Sequence, residues 1–152
     1  MTLRIYTDTS VVGGSEDVEF RQPSRRLLEA FRRGDMTLVI SELTLRELAA
    51  APAAVRDALG RIPPDVIEVL AVSAEVEDLA SAYVAEGAIS ARMRADALHI
   101  AFATVARVDV LVSWNFKHIV NLTRIHAYNA VNLKRGYPLL EIRTPREIVE
   151  DE

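Results

Sequence analysis

Five short aliphatic runs alternate along this chain with longer stretches whose apolar residues fall three and four positions apart. The runs are Leu3–Tyr6, Thr37–Ile40, Val66–Val72, Val110–Ser113 and Leu139–Ile142. Such runs have strand length, and the stretches between them have helical spacing. Strands separated by helices require right-handed crossovers, which build a mostly parallel sheet covered on both faces. The expected class is α/β, a three-layer α/β/α arrangement around a mostly parallel central sheet. In sheets of that kind ligands bind outside the carboxyl ends of the strands. Polar residues at those ends are therefore the first to consider.

The punctuation between runs supports this reading. Pro23 to Arg33 reads as a helix with Leu27, Leu28 and Phe31 on one face and Gly34 as its stop. Ser41 caps a helix whose apolar side is Leu45, Leu48 and Ala49. Pro52 interrupts before a further helix, Ala53 to Leu59, and Gly60 with Pro63-Pro64 marks a turn. Ser73 caps a helix through Val76, Leu79, Ala80 and Tyr83 that ends at Gly87. The longest helical pattern runs from Ile89 to Ala106, and another from Ile125 to Lys134 before Gly136. Thr144-Pro145-Arg146-Glu147 places a capping Thr, a Pro at the first helical position and a Glu at the third. With no repeat or linker, residues 1–152 are expected to form one domain, large enough to bury a full core.

Four polar residues are delivered by these elements to one region. Asp8 closes the first strand, and Glu47 lies on the helix after the second. Asp96 sits in the otherwise apolar helix Ala95–Ala103, and Asn115 follows the fourth strand. Carboxylates gathered from distant parts of a chain repel one another unless a cation neutralises them. A hard divalent metal is the first expectation. The absence of cysteine removes thiolate zinc sites, disulfides and cysteine nucleophiles.

Each residue also has a plainer reading. Asp8 also reads as a strand-end cap, though Ser10 and the topology favour a site, and Glu47 taken alone reads better as a surface acid beside Arg46. Glu42, in the first turn, is explained by the helix dipole. Asp96 is hardest to read as structural, because its apolar neighbours leave a carboxylate unpaired at high cost. His99 shares its helix face; it either assists metal waters or, as expected here, is a hydrogen-bonded core histidine. Ser10 and Ser113 either hold metal waters or a phosphate, or cap strand ends. Asn115 either orients a metal water or closes a turn. Lys117 and His118 either meet phosphate or lie in a solvated loop, and Trp114 is expected to be partly buried.

In this order and on these elements, the residues resemble the PIN domain family, and within it the VapC-like toxin ribonucleases. The resemblance spans Tyr6-Thr7-Asp8-Thr9-Ser10 to Thr144-Pro145-Arg146-Glu147. It rests most on Asp8 with Ser10, Ser41–Leu48, Asp96–Ala101 and Leu111–Ile119. It implies an endoribonuclease that cuts RNA with Mg²⁺ or Mn²⁺, the toxin of a toxin–antitoxin pair. It also implies a homodimer and an antitoxin segment lying across the cleft. Position by position, Asp8, Glu47 and Asp96 match the family's first three acids, which bind the metal. The fourth acidic position falls at Asn115, an amide, so one metal is expected in the free protein and a second only with substrate phosphate. Independently of the resemblance, three carboxylates suit a hard octahedral ion that keeps several waters.

Two other classes follow from the same residues. A catalytically weakened PIN fold would bind RNA or protein without cutting. A phosphoryl-transfer enzyme of the haloacid-dehalogenase type would use Asp8 as nucleophile, but it wants an acid where Ser10 stands. The net charge of −4 is unlike a general DNA-coating protein, whereas a nuclease whose acids are balanced by metal carries it readily. Local basic pairs such as Arg25-Arg26 and Arg32-Arg33 read mostly as solvated faces. The chain start lacks a charged segment followed by a long apolar one, and no run approaches the ~20 residues of a membrane span. A cytoplasmic protein without membrane attachment is expected. The stripes at Leu27, Leu28 and Phe31 and at Val76–Tyr83 serve a partner or, by default, the core.

Overall fold

The computed structural model describes residues 2–149. Its centre is a five-stranded sheet in the order β3-β2-β1-β4-β5, formed by β1 (Arg4–Thr7), β2 (Thr37–Ser41), β3 (Ile67–Leu70), β4 (Val110–Val112) and β5 (Ile142–Arg143). All its pairings are parallel. β1 is the middle strand, with Ile5 in register with Leu38 on one side and Val110 on the other. The chain fills one flank of β1 first and then crosses to the other. The strand order therefore reverses at β1, where a parallel sheet opens its crevice.

Period-two alternation gives the sheet two apolar faces. Ile5, Leu38, Ile40 and Val112 point to one side, where they meet Val11, Leu27, Phe31 and Val55. These come from α1 (Thr9–Gly14), α2 (Arg21–Arg32) and α4 (Ala53–Gly60), and Val149 of α8 (Pro145–Val149) joins them. Tyr6, Val39 and Leu111 point the other way, onto Leu79, Ile100 and Tyr128. Those belong to α5 (Ala74–Ala85), α6 (Arg94–Val105) and α7 (Leu122–Lys134). The short α3 (Glu42–Ala49) lies between, giving Leu43 to one cluster and Leu48 to the other. The layered α/β/α architecture is as expected. The stripes on α2 and α5 lie in these cores, which removes them as partner faces.

Several boundaries differ from expectation for identifiable reasons. α1 was not anticipated: it has six residues, two of them glycine, too few to show a period. α2 begins at Arg21, so Pro23 stands at the third helical position rather than the first. The pattern at 89–106 is broken at Ser90, whose hydroxyl accepts from Arg92 N and starts a 3₁₀ turn, Ala91–Met93, before α6. Val66 belongs to a 3₁₀ turn begun by Pro64, so β3 is shorter than expected. α7 starts three residues early because Asn121 caps it through Arg124 N. The fifth strand is displaced from Leu139–Ile142 to Ile142–Arg143. Asn129 engages both backbone groups of Leu140, at 2.7 and 3.1 Å, in place of a strand partner. The capping box at Thr144 forms as read, with Thr144 N on Glu147 Oε1 and Glu147 N on Thr144 Oγ1. Among the described residues no helix is long and apolar enough to cross a membrane.

Candidate active site

Asp8 leaves the end of the central strand in extended geometry and caps α1, its Oδ1 accepting from Ser10 N at 3.1 Å and from Ser10 Oγ at 2.5 Å. Its other oxygen accepts from Ser113 Oγ at 2.7 Å. The two serines also bind the loop after β4: Trp114 N donates to Ser10 Oγ and Asn115 N to Ser113 Oγ. One buried carboxylate thus joins the ends of β1 and β4 on both sides of the crevice. The cap and the candidate site residue are the same side chain, so the cap that starts α1 does not exclude a functional role for Asp8. Burial pushes its carboxyl above the usual Asp range, and the nearby His99 and the serine donors only partly counter this.

Asp96 stands in the first turn of α6, half-buried. Burial raises its pKa, and the charge of Asp8 raises it further, while His99, His118 and Asn115 oppose the shift. The two carboxylates are therefore close enough to repel. Asn115 donates from Nδ2 to Asp96 Oδ2 at 3.3 Å, and its Oδ1 accepts from His118 N at 2.9 Å. Asn115 closes the turn, one of its two expected roles, and it also touches Asp96. The amide does by hydrogen bonding what a fourth carboxylate in that place would undo by repulsion.

Glu47 is reached through a buried relay. The ring of His99 is enclosed, with Nε2 at 2.9 Å from Glu47 Oε1 and Nδ1 at 2.7 Å from the Tyr6 hydroxyl. With Glu47 ionised, Nε2 must carry the hydrogen, and in the neutral ring Nδ1 accepts from Tyr6. Burial pushes the Tyr6 phenol upward, which keeps it a donor. Ser41 Oγ lies 2.8 Å from the same hydroxyl and also accepts from Thr44 N within the α3 capping box. The cap that starts α3 is thereby tied to the ring that orients its acid. Thr9 Oγ1 donates to Glu47 Oε1 at 2.5 Å. The hydrogen bond from His99 holds the Glu47 carboxyl below the usual range.

His99 is thus a hydrogen-bonded core histidine, as expected, but one that reaches a site residue. Sequence reasoning missed Tyr6 and Thr9, although both lie within two residues of Asp8. Glu42 is structural: its carboxylate accepts from Val72 N. Trp114 is buried, with its indole N–H on Ser24 Oγ at 2.8 Å. Gly14 allows this close approach, since a Cβ there would lie 2.6 Å from Ser24 Oγ and 2.9 Å from Trp114 Nε1.

The donor set fits a divalent ion in kind. It offers hard oxygens, and two carboxyls are destabilised as anions by burial and, at Asp96, by a like charge. It does not form a closed cage: among the described residues no three acid or histidine side chains converge as a ready set of ligands. Glu47 is turned to Thr9 and His99, Asp96 to Asn115. An ion that keeps most of its waters and takes one or two carboxylates directly, as Mg²⁺ does, suits this arrangement.

No protein-family model and no curated protein matches the sequence. The fold does have relatives. It is similar to VapBC2 from Rickettsia felis, solved bound to a DNA fragment from its promoter, with a TM-score of 0.54 and 16% identity over 93% of this chain and 98% of that one. It is also similar to Mycobacterium tuberculosis VapC20, a sarcin-ricin loop cleaving toxin, with a TM-score of 0.54 and 17% identity over 90% of this chain and 98% of that one. Topology, crevice and likeness agree: the chain has the α/β/α fold of the VapC-like PIN domains.

Proposed function

We propose that this chain is a metal-dependent endoribonuclease and the toxin of a toxin–antitoxin pair. One observation carries the reading. Asp8, at the end of the central strand where the strand order reverses, lies near enough to Asp96 of α6 that its charge adds to the cost burial sets on ionising Asp96, at the carboxyl end of a parallel sheet. Surface acids do not behave so; acids that await a cation do. The similarity to VapC20 supports RNA as the substrate, and the similarity to VapBC2 supports an antitoxin partner.

Asp8, Glu47 and Asp96 would hold Mg²⁺ or Mn²⁺, and the chemistry such an ion supplies when bound would be polarisation of the phosphodiester and a lowered pKa for a water. The chain's own residues set the geometry. Ser10 and Ser113 fix both Asp8 oxygens, Asn115 fixes Asp96, and the Tyr6–His99 pair fixes Glu47. With an amide at Asn115, three carboxylates balance one dication and do not balance two. An antitoxin segment would close the cleft by placing a basic side chain among the acids, in competition with metal, and the toxin would act as a homodimer.

The test is cleavage of a mixed RNA pool by the full chain with Mn²⁺ or Mg²⁺, with EDTA, and with Asp96→Asn. Cutting that needs metal and falls at least a hundredfold in the variant is the expected outcome. One observation favours a second reading: the acids are engaged by hydrogen bonds instead of converging on one point. RNA binding without cutting by the folded chain, with either metal, would select that binding-only module.

A further inference from the structure

Three aromatic rings beside the acids have no part in the reaction proposed above. Phe20 precedes α2, whereas Trp114 and Phe116 follow β4. Phe20 and Trp114 stack with centroids 4.3 Å apart and planes 17° from parallel. Phe116 leans on both, at 6.3 and 6.1 Å. Their exposure differs sharply. Trp114 is buried and anchored through Ser24, while Phe116 is 51% exposed. A half-exposed phenyl ring forgoes part of the stabilisation that full burial would give. Here it is backed by two rings and not folded beneath them.

The position of that ring is set by the site. Asn115, its chain neighbour, donates to Asp96, and Trp114 N donates to the Ser10 hydroxyl that holds Asp8. Lys117 follows Phe116 and Arg21 follows Phe20, and both are exposed. An open ring with an exposed cation next in the chain to it and to the ring behind it, on the loop whose Asn115 holds Asp96, matches the chemistry of an unpaired nucleotide. The base stacks on the ring while its phosphates meet the cations. An apolar side chain of a protein partner would use the ring but has no need of the flanking cations.

We propose that Phe116, backed by Trp114 and Phe20, is a stacking platform for an unpaired RNA base adjacent to the phosphodiester at Asp8 and Asp96. The proposal rests on the nuclease reading for its substrate, but its test does not need cleavage. Affinity is measured by fluorescence anisotropy, using the full chain carrying Asp96→Asn and a labelled single-stranded RNA pool. A ribose-phosphate strand of equal length without bases serves as the second probe. Adding Phe116→Ala is expected to weaken binding of the base-bearing pool about tenfold, with Phe116→Tyr restoring it. Neither change should alter binding of the baseless strand. Thermal melts of the variants separate lost stacking from lost folding.

Equal affinity of the Phe116 and Phe116→Ala chains for the pool would overturn the platform. So would an equal loss on the baseless strand, or an effect of Phe116→Ala confined to binding a protein. Parallel cleavage assays on the chain with Asp96 intact keep the two ideas apart. Asp96-dependent cutting with a flat Phe116 series removes the platform and leaves the nuclease. A base-dependent Phe116 effect without cutting removes the nuclease and keeps the platform.

Discussion

Asp8 and Asp96 are held in environments that disfavour their charged forms, and the sign of the consequence is definite. A carboxyl whose folded pKa is raised keeps a proton that the unfolded chain has already released above about 3.9. Stability therefore declines as pH rises from the ordinary Asp range through the raised folded values. In metal-free protein, Asp96→Asn should melt higher than the parent, and the gap should widen from pH 4 toward neutrality in paired thermal scans. A gap that shrinks over that range would refute the assignment. Glu47 behaves oppositely: its lowered pKa adds stability above the usual Glu range, lost as pH falls through the folded value. Asp96 was legible because it stood in an apolar helix, and Asp8 and Glu47 because of their places after the first two strands and the motifs around them. Their tethers were not, since the partner of Asp8 at Ser113 lies 105 positions away and the partner of Glu47 at His99 lies 52 away. No local pattern encodes such pairings.

The helix starts carry much of the site's precision. Ser41 caps α3 and also meets the hydroxyl of Tyr6. Ser41→Ala should cost about 1–2 kcal/mol in chemical denaturation, the range for a lost N-cap. It should also loosen His99, which would appear as a shifted imidazole signal by NMR. At α1 the constraint is steric. Gly14→Ala places a methyl group against the indole of Trp114, so the sole tryptophan should change its emission and the protein should lose roughly 1–3 kcal/mol, as overpacking does. Unchanged emission would show that the segment yields freely. Long, periodic helices such as α2 and α5 were readable in outline, because their apolar faces repeat. α1 and β5 were not: one is too short to repeat, and the other yields its upstream backbone to Asn129, a side chain on a separate helix. The layer order followed from alternation alone, but the position of β1 at the centre depends on which strand each crossover rejoins.

Across the whole molecule, the site is a seam between the two flanks of the sheet, and its ligand should bind the folded form alone. Mg²⁺ or Mn²⁺ should raise the melting temperature saturably, following RT ln(1 + [L]/Kd). Asp8→Asn should abolish that rise, even where it also removes the cost of ionising a buried acid. A metal-dependent rise that survives Asp8→Asn would place the ion elsewhere.

The same seam sets an order of events during synthesis. Asp8 and the strand behind it emerge from the ribosome about a hundred residues before β4, which flanks β1 and carries the loop with Ser113 and Asn115. A nascent chain halted before that strand holds β1 with one edge bare and its acid without its distant partner. Whatever reaction the cleft performs is thus withheld until β4 and the loop after it have been made. For a chain that attacks RNA, this arrangement would spare the ribosome that is making it.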